Sequence, residues 1–147
     1  MAEFEVKKLE NLMNSIISCC QERTDKEAKK FGLPYAEIEI LKLLGQDRYA
    51  TVTGLSSRLS VSKSRVTKLV GGLLKKGLIH ITEDPKDARV KLFGLTAKGK
   101  DLLRDILQYE TDLYNNLISG LRSEDRDMVL RSLDILLHGM ERVKAIL

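Results

Sequence analysis

Residues 61–78, VSKSRVTKLVGGLLKKGL, read as one helix with both of its ends marked. Val66, Leu69, Val70, Leu73 and Leu74 recur at helical spacing and form one continuous apolar face. Ser62 suits the N-cap, where its hydroxyl accepts a backbone N–H of the first turn. Val61 before it and Val66 four positions into the helix are placed for a hydrophobic staple. Gly77 stands where a left-handed residue closes a helix, and Leu78 beyond it can pack back on Leu73. The spacing therefore predicts a helix from the Ser62 cap to about residue 76.

The first turn of this helix runs against local stability. Helix N-termini favour acidic side chains by roughly 0.3–1 kcal/mol each, and a capping box would place Glu or Gln at position 65. Lys63 and Arg65 stand there instead. A phosphate backbone or a base edge would reward such cations, since the first turn of the second helix in a helix-turn-helix enters the major groove. Arg and Lys reach guanine acceptors there, and Ser or Thr serve either partner. Ser64, Lys68, Gly71 and Lys75 share the outward face, with Arg65 and Thr67 at its edges. Gly71-Gly72 costs roughly 1 kcal/mol per glycine relative to alanine, and either close approach to a polyanion or simple tolerance accounts for it.

The rest of the chain frames this segment. Apolar spacing predicts helices over 4–30 and 35–44, separated by Phe31-Gly32-Leu33-Pro34, then a connection over 45–51. A short helix follows over about 52–59, with Thr51 and Thr53 available as caps. Its Ser56, Ser57 and Arg58 are placed either to touch phosphates or to face solvent. Strands are expected over 78–82 and 90–95 around the turn 83–87. Two long helices, about 97–119 and 124–146, close the chain with a break at 119–123. The fold class is thus mainly α with a small β-hairpin: a winged helix-turn-helix carrying long N- and C-terminal helices. Its expected divisions are 1–34, 35–96 and 97–147, the middle one being the winged-helix lobe.

Charge is distributed along the same divisions. Residues 45–100 hold 12 Lys/Arg against 4 Asp/Glu, while the remainder is mildly acidic. A basic centre points to a polyanionic partner. The hairpin tip adds Lys86, Asp87, Arg89 and Lys91. Asp87 and Arg89, two apart in the turn, are spaced for a charge-assisted hydrogen bond that orients the guanidinium. An Arg so placed suits a narrow minor groove. Other classes find little support. The chain carries no Gly-rich phosphate loop and no nucleophile–base constellation, so an enzyme is not expected. His80 and His138 with the adjacent Cys19 and Cys20 suggest neither a metal site nor a disulfide framework, and no cofactor is expected. The apolar runs are too short to span a bilayer and the N-terminus lacks a signal-peptide core, so a cytoplasmic address is expected.

At this point the residues resemble the DNA-binding core of MarR-type regulators. The resemblance rests on Leu55-Ser56-Ser57-Arg58-Leu59, on the helix from Val61 to Val70, and on Leu73-Leu74-Lys75-Lys76-Gly77-Leu78-Ile79. It continues through the Asp84-Pro85-Lys86-Asp87-Ala88-Arg89 hairpin and Leu95-Thr96-Ala97-Lys98-Gly99. It implies a transcription regulator, expected to be a repressor, that binds a near-palindromic double-stranded operator as a homodimer through interlocking terminal helices. It carries over Ser62, Lys63, Ser64, Arg65, Thr67 and Lys68 as recognition positions, Arg89 as the minor-groove residue and Asp87 as its partner. Gly71-Gly72 departs from the family pattern, as does Ala88, where a second Arg is common.

Dimerisation is also expected from the residues alone. The helix over 97–119 spreads its leucines over roughly 33 Å, and a small winged helix cannot cover three long apolar stripes. The resemblance further implies an effector, of which a small aromatic or phenolic compound near Phe31 or Tyr35 is one form. A thiol-responsive regulator acting through Cys19 and Cys20 is an alternative, as is a winged helix used for protein contact without DNA.

Overall fold

A computed structural model describes residues 2–147. The elements run α1 (Ala2–Phe31), α2 (Tyr35–Gln46), α3 (Val52–Leu59), α4 (Lys63–Lys75), β1 (Ile79–Asp84), β2 (Asp87–Leu95), α5 (Ala97–Ser119) and α6 (Ser123–Ala145). The expected mainly helical winged fold is therefore present, with β1 and β2 paired antiparallel as a two-stranded sheet. The chain divides into two compact units, Met1–Ile106 and Leu107–Leu147, with the boundary inside α5.

The first unit is built around α2 and α4. α2 buries Ile38, Ile40, Leu41 and Leu44, and α4 buries Val66, Leu69, Val70 and Leu73. Leu55 of α3, Phe93 of β2 and Leu103 and Ile106 of α5 join the same core. Burying each such side chain contributes roughly 1.5–3 kcal/mol. α4 keeps its expected face, with Leu74 and Val61 packed partly buried against the core.

The hairpin is longer and tighter than expected. Both strands run to the tip, so the break is only Pro85-Lys86. The Asp84 carboxylate accepts the Lys86 backbone N–H at 2.8 Å and closes the turn. Beyond its base the hairpin is mostly exposed, so its sequence carries no clean alternation to mark the strands. The connection after α2 also contributes to the sheet, where Ala50 and Phe93 exchange backbone hydrogen bonds of 3.1 and 2.8 Å.

Two local devices set the geometry of the lobe. Between α3 and α4, Ser60 takes a left-handed conformation with φ 56°, and the Ser56 hydroxyl donates to the Val61 carbonyl at 2.5 Å. At the far end of α4, the Leu78 N–H donates to Leu73 and the Gly77 N–H to Leu74, with Gly77 at φ 71°. These are the two bonds of a Schellman closure. Thr96 then ties this end to α5. Its hydroxyl donates to the Gly77 carbonyl at 2.7 Å and accepts the Gly99 N–H at 3.0 Å, while its own N–H donates to Leu78.

In the second unit, α5 from Leu107 onward and all of α6 leave large apolar side chains exposed, among them Leu117, Leu133, Leu137 and Met140. Along α1, in the first unit, Leu9, Leu12, Ile16 and Ile17 are each about half exposed.

Gly99 is the position at which the α4–α5 joint tolerates no side chain. A Cβ there would lie 2.0 Å from the Leu78 carbonyl oxygen, a backbone atom. Gly99→Ala is expected to destabilise the chain by about 3 kcal/mol, the upper end of ordinary overpacking. Urea unfolding checks this, and an unchanged midpoint would refute it.

Candidate nucleic-acid interface

The predicted site residues fall into two groups. The first occupies the opening two turns of α4. Ser62 caps the helix as expected, its Oγ accepting the Arg65 N–H at 3.2 Å and lying 3.1 Å from the Ser64 hydroxyl. Ser62, Lys63, Ser64, Arg65, Thr67 and Lys68 are all exposed. The Thr67 hydroxyl donates to the Lys63 carbonyl at 2.9 Å, which occupies its proton within the helix.

The second group lies on the hairpin. Asp87 grips Arg89 three times. Its Oδ1 accepts the Arg89 backbone N–H at 3.0 Å and Nε at 3.0 Å, and its Oδ2 accepts Nη2 at 3.2 Å. The Arg89 side chain is nevertheless 91% exposed, so the guanidinium is oriented without being enclosed. The Arg89 side chain, and then its backbone N–H, hold the Asp87 carboxyl below the usual carboxylate range. The lowered value means that the pair forms fully above the ordinary carboxylate pKa and opens only as pH falls through the lowered one. Lys91 pairs with its cross-strand neighbour Glu83 at 2.9 Å, and Lys86 is exposed at the tip.

Pairing separates the cations of the lobe. Arg58 is committed to Asp47 and Gln46, Lys76 to Glu37, and Lys91 to Glu83. Lys63, Arg65 and Lys68 have no ion pair among the described residues, and α4 has no acidic residue in its first turn. The helix N-terminus carries about half a positive charge of its own. Positive potential therefore accumulates on the opening turns of α4 with no paired counter-charge among the described residues. Bonds already made within the lobe also bear on α3: Ser56 pins the turn to Val61 and Arg58 holds Asp47 and Gln46.

Both groups are carried by the corner at Gly77-Leu78. α4 extends about 20 Å from it to Lys63, and β1 extends about 20 Å to the tip. Sequence reasoning named Gly77 but missed Glu37, which lies buried on α2 beside α4. Its partner Lys76 is 39 positions away, and no local spacing signals the pair. Gly72 is explained by the same residue, because a Cβ there would lie 2.6 Å from Glu37 Oε2. Gly71 faces open space.

The remaining candidates are placed as follows. Cys19 and Cys20 are free and exposed on α1. Phe31 and Tyr35 are partly buried and pack against the core. A cleft of about 260 Å³ lies at the hairpin base, lined in part by Leu43, Tyr49, Ala50, Arg58 and Leu92. No helix among the described residues is long and apolar enough to cross a membrane.

Comparison with known proteins places this geometry. A sequence model of the MarR family matches residues 31–90. The transcriptional regulator AdcR of Streptococcus pyogenes is 29% identical over 133 residues, covering 84% of this chain and 88% of that protein. The HTH-type transcriptional repressor IacR of Pseudomonas putida is 22% identical, covering 77% and 68%. Among solved structures, a point mutant of S. aureus MepR superposes with a TM-score of 0.82 at 22% identity, covering 89% of this chain and 97% of that one. A second MepR mutant, solved bound to an oligodeoxyribonucleotide, gives 0.64 at 22% identity, covering 89% and 96%. Residues 31–90 thus match the MarR family model, and the chain shares its winged-helix fold with solved MarR-type proteins.

Proposed function

We propose that the chain is a sequence-specific regulator of transcription that binds double-stranded DNA, acting as a repressor on a near-palindromic operator. The observation that carries this reading is the unneutralised Lys63, Arg65 and Lys68 on the opening turns of α4. Local stability disfavours them, and they have no paired counter-charge among the described residues. Duplex DNA offers phosphates to all three and guanine acceptors to Arg65. Ser62 and Ser64 add hydroxyls on the same turn. Thr67, with its hydroxyl turned back into the helix, offers mainly its methyl, which suits a thymine methyl.

The hairpin supplies the second contact. Asp87 presents Arg89 as a held, exposed guanidinium, the form a minor groove selects. Lys86 and Lys91 reach phosphates beside it, Lys91 by exchanging its Glu83 partner. MepR, solved bound to an oligodeoxyribonucleotide, is a structural relative that binds DNA with this fold.

A homodimer completes the reading. The half-exposed leucines and isoleucines of α1, and separately those of α6, form apolar surface of the kind that marks a protein interface. A second copy covers them and places two lobes on two half-sites. Release by a small aromatic or phenolic effector belongs to the same proposal and follows from the resemblance to that family.

Two experiments test this. Fragments bound by the protein are selected from its source genome and the operator affinity of variants is measured. Arg65→Ala is expected to cost about 1–3 kcal/mol and to relax preference at one operator position. Arg89→Ala is expected to weaken binding with an unchanged melting temperature. Affinity equal to wild type in either variant removes that residue from the interface. Sedimentation equilibrium is expected to give twice the 16.6 kDa chain mass, and a monomer at micromolar concentration would contradict the dimer.

A further inference from the structure

A short, part-buried ion pair of the first unit lies at the far end of α4, away from the cations of its opening turns. Lys76 Nζ donates to Glu37 Oε1 at 2.6 Å, with the Glu37 side chain only 6% exposed. The other carboxylate oxygen lies against Gly72, where the absence of a Cβ lets α2 and α4 approach. The Lys76 carbonyl accepts Lys98 Nζ of α5 at 3.0 Å, so the same residue is held from two sides.

Stability alone does not explain this contact. Burying a carboxylate carries a desolvation cost that an apolar side chain of similar volume avoids. The neighbouring α2 positions are Ile38, Ile40 and Leu41, all fully buried. What the ion pair adds is direction. An apolar face of valines and leucines tolerates small rolls and tilts of α4. A short hydrogen bond to one carboxylate oxygen, with the other wedged against Gly72, does not.

The lever arm makes this matter. Lys63 lies about 20 Å and Arg65 about 16 Å along α4 from Lys76. A tilt of about 10° at that pivot moves them by about 3 Å, whereas a specific contact tolerates roughly 0.5 Å. Phosphate contacts made by flexible cations survive such a shift, while bidentate base contacts do not.

We propose that Glu37 is a positioning residue for DNA recognition. With Lys76 and Gly72 it fixes the orientation of α4 and so sets sequence discrimination, while leaving non-specific affinity unchanged. The inference rests on the DNA-binding reading above.

The test compares wild type, Lys76→Arg, Glu37→Gln and the double variant Glu37→Met/Lys76→Met. Each is assayed on its selected operator duplex and on a scrambled duplex of equal length, with thermal melting alongside. The double variant is expected to melt at or above the wild-type temperature and to bind the scrambled duplex within twofold of wild type. Its operator-to-scrambled affinity ratio is expected to fall tenfold or more, with Lys76→Arg keeping most of the ratio. Glu37→Gln, which keeps the side-chain shape, serves the same comparison if the double variant does not fold, and its ratio is expected to fall at least threefold. A folded variant with an unchanged ratio overturns the positioning role while leaving the DNA-binding reading intact. Absence of salt-dependent duplex binding by wild type overturns both.

Discussion

Thr96 makes the contact from which the rest of the winged-helix lobe takes its geometry. Its hydroxyl accepts the N–H of Gly99 as the cap of α5 and donates to the Gly77 carbonyl at the end of α4. One side chain thereby closes two helix ends that would otherwise leave unpaired backbone groups. It can do so only because Gly99 lets α5 press against the Leu78 carbonyl. The hairpin leaves from the same corner. The end of α4, the base of the hairpin and the start of α5 are in this way referred to a few atoms, and none can rotate without breaking one of these hydrogen bonds.

From that corner the two charged groups follow different logics. The hairpin cations are mostly neutralised in place: Asp87 steers Arg89 and Glu83 holds Lys91. The α4 cations are left bare on a helix end that is already positive. An oriented guanidinium suits a narrow groove of fixed width. Bare cations suit a surface of phosphates whose counterions they displace. The division fits the proposed reading, in which α4 addresses one groove and the held Arg89 the other.

Much of this is legible in the sequence wherever the cause is local. Ser62 as cap, Gly77 as terminator, the face through Val66 and Leu73, and the Asp87–Arg89 spacing each depend on residues within one or two turns. What is not legible depends on distant partners. The reason for Gly72 is Glu37, on a helix that sequence alone does not dock against α4. Ala50 pairs with Phe93 across more than 40 positions and looks like an ordinary connection residue. Arg58 reads equally as a phosphate contact or a solvent-facing cation because its partners, Gln46 and Asp47, lie across a turn. The strand ends were obscured because residues exposed on both faces carry no period-two signal.

Affinity for duplex DNA measured across a range of salt concentrations addresses the central claim most directly. Displacement of condensed counterions by Lys63, Arg65, Lys68 and the hairpin cations predicts a linear fall of log affinity against log salt, with a slope near −0.9 per phosphate engaged. Binding that is absent at low salt, or that does not vary with salt, would contradict the account.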